Sequence, residues 1–377
     1  MAFVTYTFGD PCAVGVFFRA LRLGFELHRR GWRFVVLNLG PIPDDPKVDR
    51  AREIGGELLG LAGLDEEGNR RETAERLRGI APDLVVFGEE PMPGMVPYFE
   101  GARTVGAPLV LLDQHYNLDL RSPHWGVDLL LLYGLRSLWE GEVDLPGRHA
   151  VIPPFIDEVT PASALGAPPG FEGLPRVTVL GFDERVLRGG VALLGRLERH
   201  RPAVIAVNRE PRLAERLMDE AGIGPERRLA LPLLRDPDLF GWMATSRVTI
   251  LANGFMQMME ALALGCPALA IDRGLGMWGG SLDDNFVPYL SNCETPGQQL
   301  ARLDGWLEGC PFTAAQLEAL RRERSGASAC ADHLERVAAR PLLSRRLQRT
   351  GSWLRWKLRR PPRAGVRPEP EVEHGNQ

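Results

Sequence analysis

Lysine is almost missing from this chain: Lys47 and Lys357 are the only two, so nearly all positive charge is carried by arginine. That bias carries no functional inference. Cysteine is sparse and never paired in a CxxC. Cys12, Cys266, Cys293, Cys310 and Cys330 are odd in number and scattered, which argues for reduced thiols in a cytosol and against a zinc site. No apolar run is long enough to span a bilayer; the most apolar stretch, 129–132 with its flanks, is far too short. The N-terminus lacks a basic n-region and its apolar run stops at Gly9-Asp10-Pro11, so no signal peptide is expected. No Ser-His-Asp order or metal-ligand spacing stands out, and no metal site is expected.

What the chain does have is ordinary for a globular protein: 44% hydrophobic and 25% charged residues. Its 377 residues suit two domains, each with its own core. The formal charge of −4 hides an asymmetry. From Arg340 to Arg367 nine arginines and Lys357 meet no acid, a local +10 that leaves −14 for everything else. A nucleic-acid-binding enzyme carries basic charge on its folded body. Here the body is acidic, and no nucleic-acid partner is expected.

Hydrophobic patterning alternates strand and helix twice. In the first half, strand-like runs at 2–7, 33–39, 83–87, 108–112, 127–132 and 149–152 alternate with helical patterns, notably 15–30 and 71–79. A Pro/Gly-rich stretch at 156–174 reads as a linker. Alternation then restarts, with strands at 176–180, 203–208, 228–231, 248–251 and 268–271 and helices between them. The expected organisation is an N-terminal Rossmann-like domain (1–155), the linker, and a C-terminal Rossmann-like domain (175–312). Two helices (313–340) that pack or cross back toward the first domain and a basic, partly disordered tail (341–377) complete it. Strands alternating with helices imply parallel, doubly wound α/β sheets.

The most informative stretch is Asn253-Gly254-Phe255-Met256-Gln257-Met258-Met259-Glu260, running on to Gly265-Cys266-Pro267. It reads as a strand end, a tight turn, a short helix, a glycine stop and a second strand. A glycine at a helix mouth leaves amide N–H groups open to a phosphate, and the helix dipole favours negative charge there. Asn253, Gln257 and Glu260 share one helical face, whereas Met256, Met259 and Ala263 look like core. A polar face ending in a carboxylate suits a nucleotide-sugar, with amides for the diphosphate and Glu260 for ribose hydroxyls. The plainer alternative is an ordinary αβ unit with a solvated glutamate.

These elements resemble the GT-B glycosyltransferases, nearest the N-acetylglucosaminyltransferase of peptidoglycan synthesis and related nucleotide-sugar hydrolases. The similarity runs over about residues 2–335 in element order, and at motif level only in the second domain. Gly254, Gln257 and Glu260 keep the family's Gly, hydroxyl-residue and Glu spacing, with Gln in the middle place. Gly265 and Pro267 match the next turn, and Asp283-Asp284-Asn285 stands where the family has a late Gln/Asn element. The resemblance implies two domains facing across a cleft. It places Glu260 on the ribose, Gly254, Phe255 and Gln257 at the diphosphate, and Asp284 and Asn285 at the sugar. Gly181 would lie in the first donor loop, and Leu233 and Leu234 would offer backbone groups to the base. Two departures stand out. The first-loop Gly-His-(x)-Arg pattern is here Gly15, Val16 and Arg19, so the histidine is missing. The second domain's first loop reads Gly181-Phe182-Asp183-Glu184, where acids would repel a diphosphate unless they point away or bind a cation.

An inverting transfer needs a base for the acceptor hydroxyl and donors for the leaving diphosphate. Ligands in doubly wound sheets sit at strand C-terminal ends. That singles out Asp10, Asp113 and His115 as catalytic candidates, with Asp10 the leading base because it lies beside the vacant histidine position. Glu89, Glu90, Gln114 and Arg19 are expected on the acceptor side. Each has a plainer alternative: Asp10 as a turn opener, Glu89-Glu90 as a solvated loop, and 113–117 as a loop-capping network. In the tail, Trp353 and Trp356 interleave with arginines as in a basic amphipathic helix. Such a helix suits an anionic membrane surface, though a solvated tail or a partner-binding helix fits as well.

The expectation is therefore a cytoplasmic glycosyltransferase, peripheral on the inner face of the cell membrane if the tail docks there. It would use a nucleotide-diphosphate sugar, UDP-linked in the first instance, need no cofactor and no essential metal, and act on a bacterial cell-envelope or lipid-linked glycan. The rivals are a nucleotide-sugar hydrolase and a GT-B protein that binds without turnover.

Overall fold

The computed structural model describes residues 1–6, 15–61, 66–88, 96–114, 127–137, 149–156, 158–166, 170–181, 184–197, 199–251, 255–271, 290–291 and 295–340. In the first half the elements are β1 (Ala2–Tyr6), α1 (Gly15–Arg29), β2 (Val35–Leu39), α2 (Pro46–Glu53), β3 (Glu57–Leu61), α3 (Glu66–Ile80), β4 (Val85–Phe87), α4 (Val96–Arg103), β5 (Leu109–Gln114), β6 (Leu129–Tyr133) and β7 (His149–Ile152). They form a seven-stranded sheet in the order β3-β2-β1-β4-β5-β6-β7, parallel at every pairing. The second half holds β8 (Arg176–Leu180), α5 (Glu184–Gly195), β9 (Ala203–Val207), α6 (Pro211–Glu220), β10 (Arg228–Leu231), α7 (Asp236–Thr245), β11 (Val248–Leu251), α8 (Phe255–Ala263), β12 (Ala268–Ala270) and β13 (Leu290–Ser291). Its six strands run β10-β9-β8-β11-β12-β13, again parallel. Three helices close the described chain: α9 (Pro296–Glu308), α10 (Ala314–Arg322) and α11 (Gly326–Ala338).

The α/β, doubly wound architecture expected from the alternation is present in both halves. Central strands are buried on both faces, as β4, β9 and β11 are along their whole length. That is why they appear as continuous apolar runs rather than alternating ones. α1 forms because Phe17, Ala20, Leu21, Leu23 and Leu27 all reach the core with no exposed surface. It stops at Gly31, whose φ of 86° is a left-handed conformation that favours glycine.

The C-terminal helices return to the first domain. Two chain crossings pair there: Phe155 bridges Ser325 antiparallel, Ile156 N–H donates to the Arg324 carbonyl at 2.9 Å, and Gly326 N–H donates to the Pro154 carbonyl at 3.1 Å. α11 then lies against α1. Arg30 donates to Asp332 at 2.6 Å and to the Ser328 hydroxyl at 2.8 Å, and Trp32 Nε1 donates to Glu335 at 3.2 Å. No helix among the described residues is long and apolar enough to cross a membrane.

Gly326 makes this crossing feasible. A Cβ built there would lie 2.0 Å from the Pro153 carbonyl oxygen. Gly326→Ala should therefore lower unfolding free energy by about 1–3 kcal/mol in urea titrations. Gly305→Ala, in the exposed interior of α9 with nothing within 4 Å of the added carbon, should raise it by about 0.5–1 kcal/mol.

Candidate functional site

In both sheets strand order reverses at one point, between β1 and β4 in the first and between β8 and β11 in the second. A crevice opens at such a point beyond the strand C-termini. The expected residues Asp10, Glu89, Glu90, His115, Gly254, Asp284 and Asn285 lie outside the described residues, as do Phe182 and Asp183. Asp113 and Gln114 end β5, in register with Leu132 and Tyr133. Phe255 opens α8. Leu233 and Leu234 lie in the short loop between β10 and α7, with the Leu234 side chain packed on the core.

Two expected residues play other parts than those anticipated. Arg19, assigned to the acceptor side, is wholly buried. One of its terminal nitrogens donates to the Gly88 carbonyl and, at 3.5 Å, to the Leu112 carbonyl, and its guanidinium lies 5.3 Å from the Tyr133 ring. It ties together the ends of β4 and β5 from inside, since the α1 face that carries it is covered by the sheet. Gly181, expected at the diphosphate, has its own N–H committed to the Val207 carbonyl at 3.2 Å and its carbonyl taken by the Asn208 side-chain amide. A Cβ there would lie 2.5 Å from Leu187 Cβ. Glycine is required for the close approach of α5, and no amide is left over for a phosphate.

Glu260 lies at the junction of the two halves. It sits on α8 directly after the switch-point strand β11, with Met258 and Met259 buried beside it and Gln257 half-buried one turn earlier. It is not solvated: only 3% of it is exposed, and its partner comes from the other domain. Arg22, on α1, donates Nη1 to Glu260 Oε1 and Nε to Asp236 Oδ2, the latter at 2.7 Å. Lys47, on α2, reaches Asp236 at 3.3 Å and Asp45 at 3.6 Å. Aromatic faces back both cations: Phe240 lies 5.1 Å from the Arg22 guanidinium and Phe18 4.3 Å from the Lys47 ammonium. A cluster of two cations and three carboxylates thus joins α1 and α2 to α7 and α8.

The two interdomain carboxylates differ in electrostatic setting. Burial opposes the charge on Asp236, but Arg22 and Lys47 outweigh it and hold the group at about 2. Burial pushes Glu260 above the ordinary glutamate value, helped by the Asp236 charge and opposed by its hydrogen bond to Arg22 and by the more distant Lys47. Arg22 is buried too, and its two carboxylates hold it firmly protonated. Beside this cluster a cleft of about 710 Å³ opens between the domains. Arg22, Phe25 and Lys47 line one wall, and Asp236 and Phe240 the other. Glu260 is not among its lining residues: Arg22 stands between that carboxylate and the open space.

Sequence reasoning missed Arg22, Lys47 and Asp236. A signal for Arg22 existed, because it and Arg19 interrupt the apolar run of α1 from Gly15 to Phe25. One further group has metal-ligating chemistry among the described residues: His200, Asp304 and Glu308, with ligand atoms within 4.8 Å of one another. It lies at the N-terminal edge of the second sheet, away from the cleft, and Arg199 already pairs with Glu308 at 2.7 Å and Asp304 at 3.7 Å.

No family model matches the chain. An L-cysteine:1D-myo-inositol 2-amino-2-deoxy-alpha-D-glucopyranoside ligase of Streptomyces avermitilis is 31% identical over 117 residues, which is 30% of this chain and 28% of the ligase. The chain thus spans just over a quarter of the length of that curated relative. Solved structures match much more of it. The calicheamicin glycosyltransferase CalG4 superposes with a TM-score of 0.60 over 90% of this chain and 98% of its own, at 16% identity. MurG of Acinetobacter baumannii does so with 0.60 over 89% and 99%, at 11% identity. The glycosyltransferase VinC, solved in complex with dTDP, gives 0.59 over 90% and 100%, at 16% identity. The chain has the GT-B fold, as the order of its elements implied.

The charge cluster makes stability depend on pH in a defined direction. Asp236 has a folded value of about 2, below its ordinary 3.8. Its stabilisation is complete above the unfolded value and is lost as pH falls through about 2. Glu260, shifted upward, has the opposite sign: its contribution favours the fold at acid pH and fades as pH rises. Asp236→Asn, which leaves two buried cations short of a carboxylate, should cost about 3 kcal/mol at pH 7. The difference from wild type should shrink between pH 4 and pH 2 in urea unfolding. A difference that stays constant to pH 2 would assign the loss to packing instead.

Proposed function

We propose that this protein is a glycosyltransferase that takes a sugar from a nucleotide diphosphate, with the nucleoside lodged in the interdomain cleft. One observation carries the reading: a single buried carboxylate, Glu260, follows the switch-point strand of the second sheet and is turned toward the opposite domain. A carboxylate there can accept two hydroxyl hydrogens, as a ribose cis-diol offers them. The helix it sits on presents its N-terminus toward the same end of the sheet, where a diphosphate is favoured. The 232–235 loop, ahead of Asp236 at the cleft wall, is suited to the base. MurG, CalG4 and VinC share the fold, CalG4 and VinC are named as glycosyltransferases, and VinC holds dTDP. TDP-sugars are therefore donors to test beside the UDP-sugars expected from the sequence.

In this reading Asp10, or the Asp113/His115 pair, removes the acceptor proton while α8 amides hold the departing diphosphate, with no metal in the step. The acceptor is a cell-envelope or lipid-linked glycan, and the arginine- and tryptophan-rich residues 341–360, outside the described residues, hold the enzyme on an anionic membrane. A second reading, binding without turnover, is favoured by Val16 in the histidine position and by the occupied Glu260 carboxylate.

A ligand at a hundred times its dissociation constant stabilises the fold by about 2.7 kcal/mol. UDP or TDP should raise the melting temperature accordingly, and Glu260→Ala should abolish the shift while leaving a folded protein. Asp10→Asn or His115→Ala should lower sugar transfer by about 100-fold or more with the nucleotide shift intact. Nucleotide binding without consumption of any UDP- or TDP-sugar would decide for the second reading.

A further inference from the structure

Resting on the assignment of Glu260 to the donor ribose, we propose that Arg22 is a displaceable latch: it occupies the ribose carboxylate when no donor is bound, so that donor binding and the Arg22–Glu260 contact exclude one another. Three observations lead there. The Glu260 carboxylate is 3% exposed and already accepts Arg22 Nη1, so a ribose hydroxyl cannot reach that oxygen while the contact stands. Arg22 lines the open cleft and Glu260 does not, which makes the guanidinium the group an incoming nucleoside meets first. Finally, Arg22 has a second anchor. Its Nε donates to Asp236 Oδ2 at 2.7 Å, and Asp236 is itself held by Lys47 at 3.3 Å.

The second anchor is what makes the exchange feasible. A buried arginine stripped of its only carboxylate would be left uncompensated, and such a state is strongly disfavoured. Arg22 keeps Asp236 when it releases Glu260, so the charge stays paired while Nη1 swings off. Glu260 in turn trades one N–H donor for ribose hydroxyls. Because both cations come from α1 and α2 while the carboxylates Glu260 and Asp236 come from α8 and α7, the exchange loosens one domain from the other. Occupancy of the donor site is thereby coupled to one of the contacts between the domains through a single residue.

The two ends of the latch give effects of opposite sign on affinity. Arg22→Gln removes the competitor for Glu260 and should tighten UDP or TDP binding by tenfold or more in calorimetric titration of the full chain. Asp236→Asn removes the second anchor, so Arg22 clings to Glu260 alone, and should weaken binding by at least fivefold. Thermal unfolding without ligand verifies that each variant is folded. Should Arg22→Gln fail to fold, the Asp236→Asn arm decides. If wild type binds nucleotide in a Glu260-dependent way but both variants stay within twofold of it, Arg22 is a fixed strut and the latch is refuted, with the donor reading left standing. If neither wild type nor Arg22→Gln shows Glu260-dependent binding of UDP or TDP, the donor reading fails and the latch fails with it.

Discussion

The contact of Arg22 with Glu260 and Asp236 sets how the two halves of this protein face each other. Taking three such groups out of water costs several kcal/mol for each ion unless the geometry returns it. Here the return comes from placement: each interdomain carboxylate has a cation, each cation has an aromatic face, and the set nearly balances in charge. An ion pair of this kind specifies register more than it adds stability. α1 cannot slide along α8 without leaving a charge unpaired, so the cleft keeps one shape while the cluster is intact.

The rest of the interdomain arrangement supports that contact from the far side. The chain crosses between domains at 153–156 and again at 324–326, and the two crossings hydrogen-bond to each other. α11 then binds the chain just past α1 through Arg30 and Trp32, so the helix that carries Arg22 is held at its middle and beyond its C-terminal end by the C-terminal half. The crossings and the charge cluster thus join the two halves at separate places, and the cleft lies beside the cluster.

Much of this was legible from residue order. The β8 and β11 spans, buried for nearly their whole length, and the half-buried β10 span follow from their apolar runs alone, and the α8 unit with Glu260 at its sixth position was readable from glycine, polar face and methionine core. Other elements were hidden for identifiable reasons. β3 is an edge strand with mostly half-buried residues and a glycine at the fourth of its five positions, which blurs any periodicity. α9 went unread although Thr295 and Gln298 form a capping box at its start. The roles of Arg19 and Gly181 were misjudged because burial and backbone pairing, not residue type, decide whether a polar group is free to meet a ligand.

Local order within the chain determined the strands, the helices, the two-fold α/β alternation and the identity of the one carboxylate that follows the switch-point strand. Those features depend on periodicity over ten or fifteen residues and on turn chemistry, both of which are written in neighbouring positions. Only the tertiary structure decided what that carboxylate touches. Arg22 and Glu260 are 238 positions apart, and no local pattern encodes which of the chain's many arginines will be brought to a buried acid. That choice is made by two independently folded sheets meeting at their C-terminal edges, where an unpaired charge on either side would be too costly to bury.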